Sequence, residues 1–193
     1  MSIVRSNIDW DRLRKARAEN VRKAMAEKGV DAVLLTAFDL IRYVTDLRPL
    51  FTPSVYIDGY VAVMTKEGDT MASGPFVEGG KLGYAEEETM PPVYLPSPSA
   101  AQRWAKIFKG MLRKLGVTSG RVGVDYFPLA VYKAAIDEMP SIEFTPFLDE
   151  ILVAKTVKYE EEVELLREAA SIVDLGVEAG YEAIEEGKRE NRS

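Results

Sequence analysis

Residues 30–36, Val-Asp-Ala-Val-Leu-Leu-Thr, form a short apolar run that scarcely alternates. A strand with one wet face alternates apolar and polar side chains. A strand without that alternation is buried on both faces. It needs cover above and below, which a sheet between helical layers supplies. An amphipathic helix stands directly before it. Trp10, Leu13, Arg17, Val21, Ala24 and Met25 recur three or four apart between Trp10 and Lys28. Arg14, Lys15, Arg22 and Lys23 crowd the other face. Asp9 stands as an N-cap and Gly29 as the residue just past the last turn.

Further elements follow in order. The spacing predicts a short helix from Phe38 to Asp46, then a strand Tyr60–Thr65. The turn Lys66-Glu67-Gly68-Asp69 joins it to Thr70–Ser73 as a hairpin. Residues 74–99 are rich in Gly and Pro, with room for a short strand around Val93–Leu95. Ser99 and Gln102 read as a capping box opening a helix to Leu115, with Gly116 ending it. Arg121–Asp125 reads as a strand. Pro128 then opens a helix through Met139, and Ser141–Pro146 is a last strand. This order predicts an α/β fold, a mixed β-sheet flanked by helices.

Charge divides the chain in two. Residues 1–148 carry 19 basic and 18 acidic residues, and residues 149–193 carry 6 and 13. The expected organisation is an α/β domain over 1–150 followed by a linker and a long acidic helix over 151–193. Glu160, Glu161 and Glu162 suit the positive end of a helix dipole. Val163, Leu166, Ala170, Val173, Val177, Tyr181 and Ile184 then mark an apolar stripe running toward Gly187. Whether that stripe packs on its own domain or on something else stays open at this level.

The chain has no histidine and no cysteine. That excludes a Ser-His-Asp triad, a thiol nucleophile, a zinc finger and a disulfide framework. A net charge of −6 argues against nucleic acid as a partner. No apolar run is long enough for a membrane span. The polar stretch from Met1 to Trp10 makes a cytoplasmic setting the expectation.

Few residues carry a chemical signal. Gly74 to Gly83 lacks the spacing of a phosphate loop and reads as structural. Asp125 ends a strand, where α/β folds often place chemistry; without a second carboxylate nearby, a structural role is favoured. Arg42, Tyr43, Asp46 and Arg48 cluster beside a Pro-punctuated segment that reaches Tyr56 and Asp58. Such a cluster suits recognition of a polar ligand, or is simply a solvated set of ion pairs.

Three segments together resemble the N-terminal domain of the creatinase/prolidase/aminopeptidase P family. They are Gly29–Thr36 with Leu40–Asp46, then Gly120–Asp125, then Lys155–Ala169. The family usually has Gly where Asp46 stands, Arg where Lys155 stands and Ser where Tyr159 stands. The Asp variant looks like a subgroup that includes non-peptidase lyases. The resemblance implies a further catalytic domain holding two divalent metal ions on Asp, Asp, His, Glu and Glu. A chain without histidine cannot supply that set, so no catalytic residue, metal ligand or cofactor is expected within it.

The resemblance further implies a homodimer whose partner is a catalytic domain or a neighbouring subunit. It makes Arg42, Tyr43, Asp46, Tyr56 and Asp58 the candidates to meet substrate. The expected function is a substrate-gating and oligomerisation domain of a metal-dependent hydrolase, inactive alone. The rival expectations are a self-standing binding or regulatory module of the same fold, and a carboxylate-based enzyme at Asp125.

Overall fold

The computed structural model describes residues 8–46, 60–73 and 98–184. Contacts divide the chain into Arg14–Val157 and a second unit of Met1–Leu13 with Lys158–Ser193. The elements in chain order are α1 (Trp10–Lys28), β1 (Ala32–Leu35), α2 (Phe38–Thr45), β2 (Val61–Thr65), β3 (Thr70–Ser73) and α3 (Pro98–Lys114). Next come β4 (Gly120–Val124), α4 (Leu129–Glu138), β5 (Ile142–Pro146), α5 (Leu148–Thr156) and α6 (Glu160–Glu182).

The larger unit holds a mixed sheet in the order β3-β2-β1-β4-β5. β1 runs antiparallel to β2, with Leu34 opposite Val63, and parallel to β4, with Leu34 opposite Val124. β5 continues the parallel side and β3 the antiparallel side. Every residue of β1 and β2 is buried, as the unbroken apolar run of β1 demands.

Alternate residues feed two cores. Ala32, Leu34, Val63 and Val122 pack with Trp104, Phe108 and Met111 of α3 and Val131 of α4. Val33, Leu35 and Met64 on the opposite face pack with Val21 and Met25 of α1, Leu40 and Ile41 of α2, and Ile151 of α5. Each large side chain buried in this way contributes about 1.5–3 kcal/mol.

The helix ends show how sequence sets boundaries. Asp9 caps α1 by accepting from the Arg12 amide at 3.0 Å. Gly29 and Gly116 have φ of 70° and 78° and end α1 and α3. After each, the next amide reaches back to close the last turn, Val30 to Met25 and Val117 to Leu112. At the opposite edge, Asp31 accepts from Lys66 Nζ at 2.7 Å and from the Arg121 amide at 3.0 Å. That clasp joins the starts of β1 and β4 to the hairpin.

Several boundaries differ from expectation. α3 begins at Pro98, whose missing N–H costs nothing in a first turn. Pro128 is the N-cap of α4, with ψ of 142°, so the helix itself opens at Leu129. α5 lies in a stretch expected to be linker. Ile151, Leu152 and Val153 are adjacent rather than periodic, and only Ile151 is buried, so the helix left no amphipathic trace. The short strand near Val93–Leu95 falls outside the described residues.

In the smaller unit, α6 opens with Glu162 accepting from the Tyr159 amide at 3.0 Å and with an Arg12–Glu161 ion pair. Leu166, Val173, Val177, Tyr181 and Ile184 of its stripe are 51–73% exposed.

Candidate functional site

Two features of the larger unit meet on α2, the element that carries Arg42, Tyr43 and Asp46. The first is Asp125, which follows β4 and is buried. Its carboxylate accepts from the Thr36 amide, from the Ala37 amide at 2.7 Å and from the Tyr126 amide at 2.6 Å. The Thr36 hydroxyl lies 2.9 Å from both Asp125 Oδ1 and the Tyr126 carbonyl. Ala37 is the N-cap of α2 and has no side-chain oxygen, so Asp125 performs the capping from a neighbouring strand. Burial pushes the Asp125 carboxyl above the ordinary aspartate range, while these donors pull the other way. With its oxygens engaged within the chain, Asp125 is a structural clasp, the reading favoured from sequence.

The second feature is the side of α2. Tyr43 is buried, with the Arg17 guanidinium 5.3 Å from its ring centroid and Lys155 Nζ 5.7 Å from it. Its hydroxyl approaches the Ala154 carbonyl at 3.5 Å. Lys155 also pairs with Asp39 at 2.6 Å. The ring is thereby held by α1 and α5 together through cation–π contacts. Lys28 of α1 and Glu150 of α5 pair as well, and that hydrogen bond holds the Glu150 carboxyl below its usual range.

Asp46 is the C-cap of α2 and the one non-glycine residue with positive φ among the described residues, at 54°. Its amide donates to the Arg42 carbonyl at 2.8 Å, and Arg14 Nε lies 3.4 Å from its carboxylate. A left-handed cap is where glycine is favoured. That gives a backbone reason for the glycine of the resembling segment. Asparagine and aspartate tolerate the same conformation.

The structure thus places Tyr43 in the helical layer, Asp46 at the turn leaving α2, and Arg42 on the exposed side. Tyr43 and Asp46 are brought together by α1, through Arg17 and Arg14. Tyr56 and Asp58 lie outside the described residues. Sequence reasoning missed Arg14 and Lys155 as neighbours of this cluster. The signal for Arg17 was present: it falls on the apolar face of α1 although it is charged.

The chain has no histidine, and among the described residues no group of three or more Asp or Glu could hold a metal ion. The residues present do not fit a two-metal hydrolytic site, and no metal-dependent step is assigned to them. Among the described residues no helix is long and apolar enough to cross a membrane.

Known proteins share this fold. Creatinase from Bacillus sp. (strain B-0618) is 28% identical over 173 residues, covering 89% of this chain and 40% of creatinase. A prolidase from Thermococcus sibiricus superposes with a TM-score of 0.59 at 21% identity, covering 95% of this chain and 47% of the prolidase. An Xaa-Pro dipeptidase from Bacillus anthracis gives 0.56 at 21% identity, covering 92% and 45%. The chain therefore spans less than half the length of these relatives, and the two structures share its fold. The Creatinase/Prolidase N-terminal domain family matches residues 17–169, well over half of the chain, and the chain belongs to that family.

Proposed function

We propose that this chain is a non-catalytic N-terminal domain of a creatinase- or prolidase-type metal-dependent hydrolase. In this reading it supports homodimeric assembly and contributes to the rim of a catalytic site supplied by a catalytic domain or a neighbouring subunit. The observation that carries the reading is the pairing of a family match over residues 17–169 with a chain that has no histidine. The hydrolytic chemistry would come from two divalent ions bound outside this chain. Water activation of that kind needs ligands that the described residues do not bring together.

Arg42 and Asp46 are the described candidates for the rim, with Tyr56 and Asp58 completing the set. Tyr43 serves them by locking α2 between α1 and α5. The absence of cysteine agrees with a cytoplasmic setting, which belongs to the same reading. The test is direct. The purified chain with Mn²⁺ or Co²⁺ and an Xaa-Pro dipeptide should show no turnover above buffer. Robust hydrolysis by the chain alone overturns the non-catalytic assignment.

A further inference from the structure

We propose that the cavity between the C-terminal ends of α3 and α4 binds a free α-amino acid with an apolar side chain, in its zwitterionic form.

The cavity lies beside the first residues of β4 and β5, at the opposite end of β4 from Asp125. It measures about 270 Å³. A cavity of ~150 Å³ holds a benzene molecule, so this one admits roughly ten non-hydrogen atoms, the size of leucine or methionine.

Two turns hold its shape. The Val117 amide donates to the Leu112 carbonyl at 2.8 Å, and the Ile142 amide donates to the Met139 carbonyl at 3.1 Å. The Gly120 amide donates to the Ser141 carbonyl at 3.2 Å and ties one turn to the other. The cavity is therefore formed before any ligand arrives, as small-molecule sites usually are.

Its floor is apolar. Leu112, Met139 and Ile142 line it, and all three are buried. Its rim carries both signs of charge. Lys109 and Glu138 pair there at 2.9 Å. The hydrogen bond from Lys109 holds the Glu138 carboxyl below its usual range, so it is ionised at neutral pH. Arg113 also lines the cavity, and among the described residues its guanidinium has no ion-pair partner. α3 ends at Lys114 and α4 at Glu138, so both helices turn their negative ends toward this place.

These charges choose the ligand. A bare anion meets Glu138 and two negative helix ends. A bare cation meets Lys109 and Arg113. A zwitterion satisfies both sets. Its carboxylate takes the forked guanidinium of Arg113, with the hydroxyls of Thr118 and Ser141 in the same lining as further donors. Its ammonium lies toward Glu138 and the helix ends. An apolar side chain then covers the floor and releases the water above it.

The test is a titration of the isotope-labelled 193-residue chain with L-leucine, followed by amide NMR shifts. Shifts at Leu112, Val117, Ser141 and Ile142 should saturate with a Kd of about 1 mM or tighter, while the β2–β3 turn stays still. Isocaproate lacks the amine and isoamylamine lacks the carboxylate. Each should bind at least about tenfold more weakly, because rim groups are left unpaired. L-Serine should be weaker by a similar factor, because it leaves the floor uncovered. Arg113→Ala, at an exposed position, should weaken leucine about tenfold with the spectrum of the free chain otherwise retained. No saturable shift at the cavity, binding of any of the three analogues as tightly as leucine, or full affinity in Arg113→Ala overturns the proposal. Binding is read directly, so the outcome is independent of the non-catalytic reading above.

Discussion

Both oxygens of Asp125 lie within hydrogen-bonding distance of the Thr36 amide, at 3.0 and 2.8 Å, so the end of β4 is tied to the end of β1. The same carboxylate takes the Ala37 amide at the start of α2. Asp125→Asn keeps the shape and turns one acceptor into a donor. That amide nitrogen would face backbone N–H groups with no lone pair to offer. The expected loss is about 2–3 kcal/mol, seen as a lower urea midpoint with unchanged slope. An unchanged midpoint would show that the clasp contributes nothing net.

The pH dependence of that loss has a definite sign. Burial raises the native carboxyl of Asp125, so the folded chain holds its proton more tightly than the unfolded chain. Its contribution is fully present below the unfolded value, about 3.9, and is lost as pH rises through the raised native value. Asp31 and Glu150 act oppositely. Hydrogen bonds from Lys66 and Lys28 lower them, and their contributions are lost as pH falls through the native values. Both persist in Asp125→Asn. The wild-type advantage over the variant should therefore shrink as pH rises from the unfolded value through the raised native value of Asp125. A growing advantage would mean that the donors from Ala37, Thr36 and Tyr126 outweigh burial.

Gly123 is fixed by Phe147. A Cβ at 123 would stand 2.8 Å from the Phe147 Cβ, and the ring is fully buried between strand and helix. Gly123→Ala should cost about 1–3 kcal/mol by overpacking. Gly123→Ala with Phe147→Leu should recover part of that loss, and a double-mutant cycle on urea midpoints measures it. Additive losses would show that the strain lies elsewhere.

Residue pattern carried far in this chain where the physics is local. The unbroken run of β1 announced burial on both faces, and Gly29 and Gly116 announced helix ends by the positive φ they adopt. What escaped depends on distant elements. The ring of Tyr43 is held by Arg17 of α1 and Lys155 of α5, three helices that no local period connects. Asp125 showed its position at a strand end but not its purpose, because the capping oxygen that α2 lacks at Ala37 is supplied across the sheet. α5 stayed hidden for a similar reason: its helix is held by a single buried Ile151 and by ion pairs to α1 and α2.

Asp46 separates the demand of its backbone from that of its carboxylate. Its φ of 54° suits glycine, and its carboxylate meets Arg14 at 3.4 Å, a geometry worth little. Asp46→Gly should lie within about 1 kcal/mol of wild type, relief of the left-handed cap offsetting the lost pair and added unfolded-state freedom. Asp46→Val should lose at least about 1–2 kcal/mol, because a β-branched residue resists positive φ. Thermal midpoints of the two variants test this. Equal losses would place the importance of Asp46 in its carboxylate.

Arg42 tests the proposed rim without disturbing the fold. Its side chain is exposed and has no hydrogen-bond partner among the described residues, while its carbonyl closes the last turn of α2 whatever the side chain is. Arg42→Ala should therefore leave stability within about 0.5 kcal/mol of wild type. A guanidinium at the rim of a site would recognise a carboxylate through paired N–H donors. In an assembly that supplies a catalytic domain of this family, the variant should raise KM for a dipeptide with a free carboxylate and leave kcat unchanged. Lysine at this position should restore only part of the loss, because a point charge lacks the forked geometry. A KM unaffected by Arg42→Ala would remove this residue from the rim, and a parallel fall in stability would show it to be structural.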